Sequence, residues 1–270
     1  MKLTVLIDNV PAGELTPEWG LSAFLEVGDS RILLDTGASR QFLFNAEQLG
    51  IDVSSVDFAV LSHAHYDHAN GMEAFFEYNS SAVFCLAEGA GENCWSCIDG
   101  ARKYIGIKEG IISRYSDRIR YFSGVCELVP GVWLVPHSAA DLAAVGEENG
   151  MYVLNGENWE PDDLSHEQSL VVDTEKGLFV LNSCSHGGFE TIVNEVLEAF
   201  PGRRVAAYFG GLHLYRKTDE EVREQAERIR ATGVKYVFTG HCTGENALRI
   251  LREELGDCVK PFYCGMKIEL

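Results

Sequence analysis

Basic residues are scarce in this chain: 22 Lys and Arg stand against 41 Asp and Glu, a formal net charge of -19. Such a surface repels a nucleic-acid backbone at long range, so a nucleic acid is not expected as partner, although a small anion could still be held by a few local cations or a bound metal. Long apolar runs are missing too, and with no uninterrupted stretch of about eighteen apolar residues there is no candidate membrane span. Cysteine occurs eight times in 270 residues, below disulfide-scaffold density. The opening MKLTVLIDNV reaches Asp8 too early for a secretory signal and reads as a first strand. A cytoplasmic protein with mostly reduced thiols is the expectation, and no pattern sets an oligomeric state.

What the chain does have is enough apolar residues, 46% of 270, to bury a substantial core, and a single domain over residues 1–270 is expected. Strand-like runs fall at 2–8, 22–27 and 31–37, and 40–49 can form a helix before the strand 58–61. In the second half, 168–174 and 177–182 read as a hairpin, 189–200 and 218–231 as helices, and 204–209 and 236–239 as strands. Short strands alternating with helices favour a layered mixed α and β domain over an all-β sandwich. Residues 87–124 are less regular and read as an insertion or lid. Their Cys94/Cys97 pair lacks a second pair at zinc-ribbon spacing and reads as surface or packing cysteines.

The densest chemical signal is AVLSHAHYDHANG at 59–71, which brings His63, His65, Asp67 and His68 together behind an apolar strand. In extended backbone, residues two apart share a side, so His63 and His65 can grip one ion from a strand end. Asp67 and His68 fall where the chain must turn and can face a neighbouring position. Imidazole and carboxylate suit one or two divalent ions, zinc first and iron or manganese as alternatives, with room left for water.

Other strand ends repeat the theme. LLDTG places Asp35 where it can orient a metal-binding histidine or fix a turn. NSCSHGG offers Cys184 and His186, GGLHL offers His213 and TGHCTG offers His241. His186 is expected as a ligand. Cys184 reads as a bridging or supporting thiolate or as an inert buried thiol. His137 also follows a strand, where an approach to the site competes with a packing role, and His166 reads as a surface residue.

The run HAHYDH at 63–68, LLDTG at 33–37 and the later histidine-bearing strand ends resemble the metallo-β-lactamase fold superfamily. LNSCSHGG, FGGLHL and TGHCTG look like its branch related to dihydropterin-ribofuranosyl-aminobenzene phosphate synthase. The resemblance implies an α+β fold, a four-layer αββα metallo-β-lactamase-like sandwich with metals at the sheet edges. It implies His63, His65 and His186 at a first metal position, and Asp67, His68 and His241 at a second. The usual bridging aspartate is not obvious, and Cys184 lies near the corresponding strand end.

The expected activity is that of a metal-dependent hydrolase or a phosphate-transfer or synthase-type enzyme acting on a small anionic, pterin-like substrate. Asp67 would position a water or accept its proton, and His213 would hold an anionic group or shuttle a proton. Two alternatives compete: an iron-dependent dioxygenase or other redox enzyme of the same fold, and a noncatalytic metal-stabilised interaction module.

Overall fold

The structure is a computed structural model, and it describes residues 1–269. Two seven-stranded sheets carry the fold. The first runs Lys267–Glu269, Lys2–Ile7, Ser22–Val27, Ser30–Leu34, Phe58–Val60, Val83–Ala87 and Ile119–Phe122 from edge to edge. The second runs Val259–Pro261, Tyr236–Thr239, Val205–Phe209, Gly177–Leu181, Gln168–Thr174, Val132–Pro136 and Cys126–Val129.

The period of two along each strand builds the layers. Val5, Leu25, Ile32, Leu34 and Val60 of the first sheet pack with Leu134, Leu170, Val172, Phe179 and Phe209 of the second, forming one core between the sheets. The alternate residues Leu6, Phe24, Leu33, Ala59 and Phe84 point the other way and pack against the helices Gln41–Gln48 and Met72–Tyr78 through Phe42 and Phe75. Val171, Val180, Tyr208 and Val237 likewise bury the apolar faces of Phe189–Ala199, Asp219–Thr232 and Glu245–Leu255. The result is the expected four-layer αββα sandwich.

Residues 87–124, expected as one irregular excursion, divide between two sheets. Ile119–Phe122 pairs in parallel with Val83–Ala87 and extends the first sheet. Trp95–Ile98 and Ala101–Tyr104 form a hairpin whose turn puts Asp99 and Gly100 at positive φ, 51° and 76°. That hairpin joins Met151–Asn155 and Asn158–Pro161 in a separate four-stranded sheet. Its partners lie far along the chain, which is why local periodicity did not reveal the pairing.

Ser30–Leu34, Phe58–Val60 and Val83–Ala87 are mutually parallel, as are Gly177–Leu181, Val205–Phe209 and Tyr236–Thr239. Parallel neighbours deliver their carboxyl ends to one edge, so the loops after five of these strands meet there, and those loops hold the histidine-bearing motifs. Among the described residues no helix is long and apolar enough to cross a membrane.

Candidate metal centre

Backbone strain marks this edge. Asp35, Ser185, His213 and His241 all lie in the left-handed region, with φ between 47° and 58°. For residues with a Cβ that conformation costs about 1–3 kcal/mol each, and it persists only where the surroundings enforce it. For His241 the enforcement is visible: its N–H donates to Asp8 Oδ1 at 3.0 Å, and Asn9 Nδ2 donates to its carbonyl at 3.1 Å.

His63, His65 and His186 form a near-equilateral set, with ring centroids 4.6, 4.7 and 4.7 Å apart. Nε2 of His63, Nε2 of His65 and both ring nitrogens of His186 are buried without a hydrogen-bond partner. Leaving so many buried polar atoms unsatisfied is unfavourable unless something accepts their lone pairs. Burial also keeps these rings neutral: it holds the His65 pKa down to about 3 and pushes His63 and His186 well below the ordinary value. Neutral imidazoles with converging free nitrogens are the form that ligates a metal.

The second group is equally specific. His68 Nδ1 donates to Asp35 Oδ2 at 2.8 Å, which leaves its Nε2 as a lone pair. Asn9, oriented by its bond to the His241 carbonyl, presents Oδ1 to His241 Nδ1 at 3.1 Å, so the neutral His241 ring also turns an Nε2 lone pair inward. The two Nε2 atoms stand 3.2 Å apart. Asp67 Oδ2 lies 3.5 Å from that of His241 and 3.9 Å from that of His68, and Cys184 Sγ lies 3.2 Å from the latter. Burial opposes a charge on His241, but the Asp67 hydrogen bond and the neighbouring Cys242 and Asp67 charges outweigh it and raise the pKa to about 9. Burial works against ionisation of Asp67 as well, yet His68 and His241 hold its carboxyl below the usual range. The cluster demands one positive charge at its centre, and a divalent cation answers that demand. The donor set and the unpartnered nitrogens therefore fit metal ions.

Every residue singled out from the sequence for this centre meets at this edge. Asp35 does more than turn the chain: its Oδ1 accepts from Ser62 N at 2.7 Å and its Oδ2 from Ser62 Oγ at 2.7 Å as well as from His68. His213 lies beside His186, with ring centroids 4.4 Å apart and its Nδ1 unpartnered. His137 stays outside: its Nδ1 bonds Glu195 Oε2 and its Nε2 Ser169 Oγ, each at 2.8 Å, so its role is packing.

His166, expected at the surface, is buried and needs correction. Its Nδ1 accepts from the backbone N–H of Ala64 at 3.1 Å, between His63 and His65, and its Nε2 faces Asp162 Oδ2 at 3.2 Å. Cys94, Asp162, His166 and His65 are close enough to suggest another metal group. The Ala64 bond argues otherwise: it engages the Nδ1 lone pair, so the proton sits on Nε2 and is given to Asp162, and no nitrogen is left to ligate. Glu167 was not anticipated either. Its buried carboxylate accepts from His186 N at 2.8 Å and Gly187 N at 2.9 Å, fixing the loop that presents His186.

A cavity of about 520 Å³ opens over the centre, lined by His65, Asp67, Cys184, His186, His213 and Cys242 at its floor. Trp19, Tyr66 and Tyr215 supply aromatic walls, Lys103 and Arg216 supply positive charge, and Lys217 is paired with Glu148 at 3.1 Å and Glu221 at 3.6 Å. The small sheet contributes Ser96, Cys97 and Ile98 to the lining.

This architecture is the metallo-β-lactamase fold, and residues 16–112 match the sequence model of the metallo-beta-lactamase superfamily. The structure of Tm1679, a metal-dependent hydrolase of the beta-lactamase superfamily, is 28% identical with a TM-score of 0.83, covering 100% of this chain and 99% of that one. YhfI from Bacillus subtilis, a metallo-beta-lactamase fold protein, shares the fold at 13% identity, TM-score 0.59, over 100% and 99% of the two chains. In sequence the chain is 26% identical to the 7,8-dihydropterin-6-methyl-4-(beta-D-ribofuranosyl)-aminobenzene-5'-phosphate synthase of Methanocaldococcus jannaschii, over 96% of this chain and 93% of the synthase.

Proposed function

We propose that this protein is a metal-dependent enzyme that turns over a small anionic, phosphorylated substrate with an aromatic, pterin-like portion, by hydrolysis or phosphate transfer. The observation that carries the reading is the convergence of imidazole nitrogens: three rings with unpartnered nitrogens at one position, and beside it His68 and His241, whose Nε2 atoms lie 3.2 Å from each other next to Asp67. His63, His65 and His186 would hold one ion, and Asp67, His68 and His241 a second. When bound, one or two divalent ions, zinc first, would supply Lewis acidity and a water acidified toward neutral pH.

The remaining chemistry belongs to the chain. Asp67, kept ionised and reaching the cavity, can orient a water and take its proton. His213, with its free Nδ1 beside His186, can bind an anionic oxygen or return a proton to a leaving group. Lys103 and Arg216 give the mouth local positive charge within a chain of net charge -19, which favours a small anion over a polymeric phosphate. Trp19, Tyr66 and Tyr215 offer faces for a planar ring. The likeness to the dihydropterin-linked phosphate synthase makes such a compound the first to assay.

The test is to strip and reconstitute the protein with zinc, iron or manganese and assay phosphomonoesters, phosphodiesters, lactones, thioesters and persulfides, with metal-free protein and His65→Ala as controls. Turnover of a phosphorylated or ester substrate by the loaded wild type alone is the expected result. Oxygen-dependent persulfide consumption without hydrolysis would overturn the reaction class, and failure to retain any transition metal would overturn the reading altogether.

A further inference from the structure

Cys242, next to His241, played no part in the ligand set drawn from the sequence. It is buried, with 2% of its surface exposed, and its sulfur lies 3.4 Å from that of Cys184. The position is built rather than incidental. After the left-handed turn at His241, Cys242 reaches the floor of the cavity, and a Cβ on Gly211 would collide with its sulfur, so the space for it depends on glycine there.

Adjacent donors along this row are spaced like neighbouring ligands of one ion. Bonds of about 2.0 Å to nitrogen and about 2.3 Å to sulfur give tetrahedral edges of about 3.3 Å between nitrogens, 3.5 Å between nitrogen and sulfur and 3.8 Å between sulfurs. The corresponding distances are 3.2 Å from His68 Nε2 to His241 Nε2, 3.2 Å from His68 Nε2 to Cys184 Sγ, and 3.4 Å between the sulfurs. The donor atoms of Cys184, His241 and Cys242 all fall within 4.8 Å of one another. An all-imidazole position and a position rich in sulfur thus stand side by side.

We propose that Cys184 and Cys242 act together as a thiolate pair at the position served by His241, making it a thiophilic site for an ion such as zinc, cadmium or cobalt. The proposal rests on the metal-centre reading and adds the identity of its second position. Ligation converts two S–H groups to thiolates and releases their two protons to solvent. Soft sulfur donors favour such ions over magnesium or manganese.

The test titrates reduced, metal-free protein with cobalt(II), following bound metal by elemental analysis and thiolate-to-cobalt charge transfer by near-ultraviolet absorbance. The wild type is expected to show that absorbance. Cys242→Ser and Cys184→Ser should each lose about half of it, as when one of two soft ligands is removed, and Cys94→Ser should lose none. Bound cobalt without charge transfer, undiminished absorbance in Cys242→Ser, or its loss in Cys94→Ser would overturn the thiolate pair while leaving the metal centre standing. No cobalt bound at all would overturn both. If Cys242→Ser does not fold, absorbance per bound cobalt in wild type against Cys184→Ser counts the same sulfurs: retention of about half supports the pair, and complete loss refutes it.

Discussion

His68 and His241 face each other through Nε2: the two atoms are 3.2 Å apart, and each Nδ1 is committed elsewhere, one to Asp35 and the other to Asn9. Two such nitrogens repel unless a proton or a metal ion lies between them. Metal removal should therefore lower the melting temperature, and readdition should restore it. An ion present at a thousandfold excess over its dissociation constant contributes about 4 kcal/mol. Scanning calorimetry before and after chelation would check this, and superimposable transitions would count against the centre.

Asp35→Asn should fold yet bind metal about 10–100-fold more weakly. The asparagine keeps the shape but offers only one carbonyl oxygen where the carboxylate now accepts from Ser62 N, Ser62 Oγ and His68 Nδ1. Competition against a chromophoric chelator would measure the loss. Unchanged affinity would mean that the orientation of His68 is set by packing alone.

Glu167→Gln should destabilise the metal-free protein by about 1–3 kcal/mol. Its two carboxylate oxygens each accept a backbone N–H, from His186 and from Gly187, and an amide would set an NH₂ group against one of them. Urea unfolding would show the shift in midpoint. Because the displaced loop carries His186, metal affinity should fall as well.

The His137 and Glu195 pair predicts a pH dependence away from the metal centre. Burial opposes the Glu195 charge, but His137 and the Ser138 amide outweigh it and hold the carboxyl below its ordinary 4.5. Just below that pH the unfolded chain then binds more protons than the folded one, so stability rises with pH through the window. Relative to Glu195→Gln, metal-free wild type should be more stable by about 1.5 kcal/mol at neutral pH. That advantage should shrink as pH falls through 4.5 and below. An advantage that grows on acidification would refute the assignment.

What could be read from the sequence was local. His63, His65, Asp67 and His68 announce themselves because six residues of chain hold them, and the alternation of Leu33 and Leu34 or Val180 and Leu181 marks two buried faces. What escaped depends on partners far apart. The Ala64 to His166 bond spans 102 residues and the His241 to Asp8 bond spans 233. Cys242 gains meaning only because Cys184, 58 residues earlier, ends a neighbouring loop. His166 looked exposed because its surroundings, Asp162 and Asp163, read as an acidic turn, whereas Asp162 is its buried partner.

The first sheet brings Asp35, His63, His65, Asp67 and His68 to the common edge, and the second brings Cys184, His186 and His241. A bound ion would therefore be a rivet between two halves that must dock before either position is complete. In kinetic terms, such a link is absent from any folding transition state in which the sheets have not yet met, so metal should slow unfolding and leave the refolding rate of the metal-free chain nearly unchanged. Chevron plots with and without metal should then share a folding limb and separate on the unfolding one, making resistance to unfolding, as much as reactivity, something this edge confers.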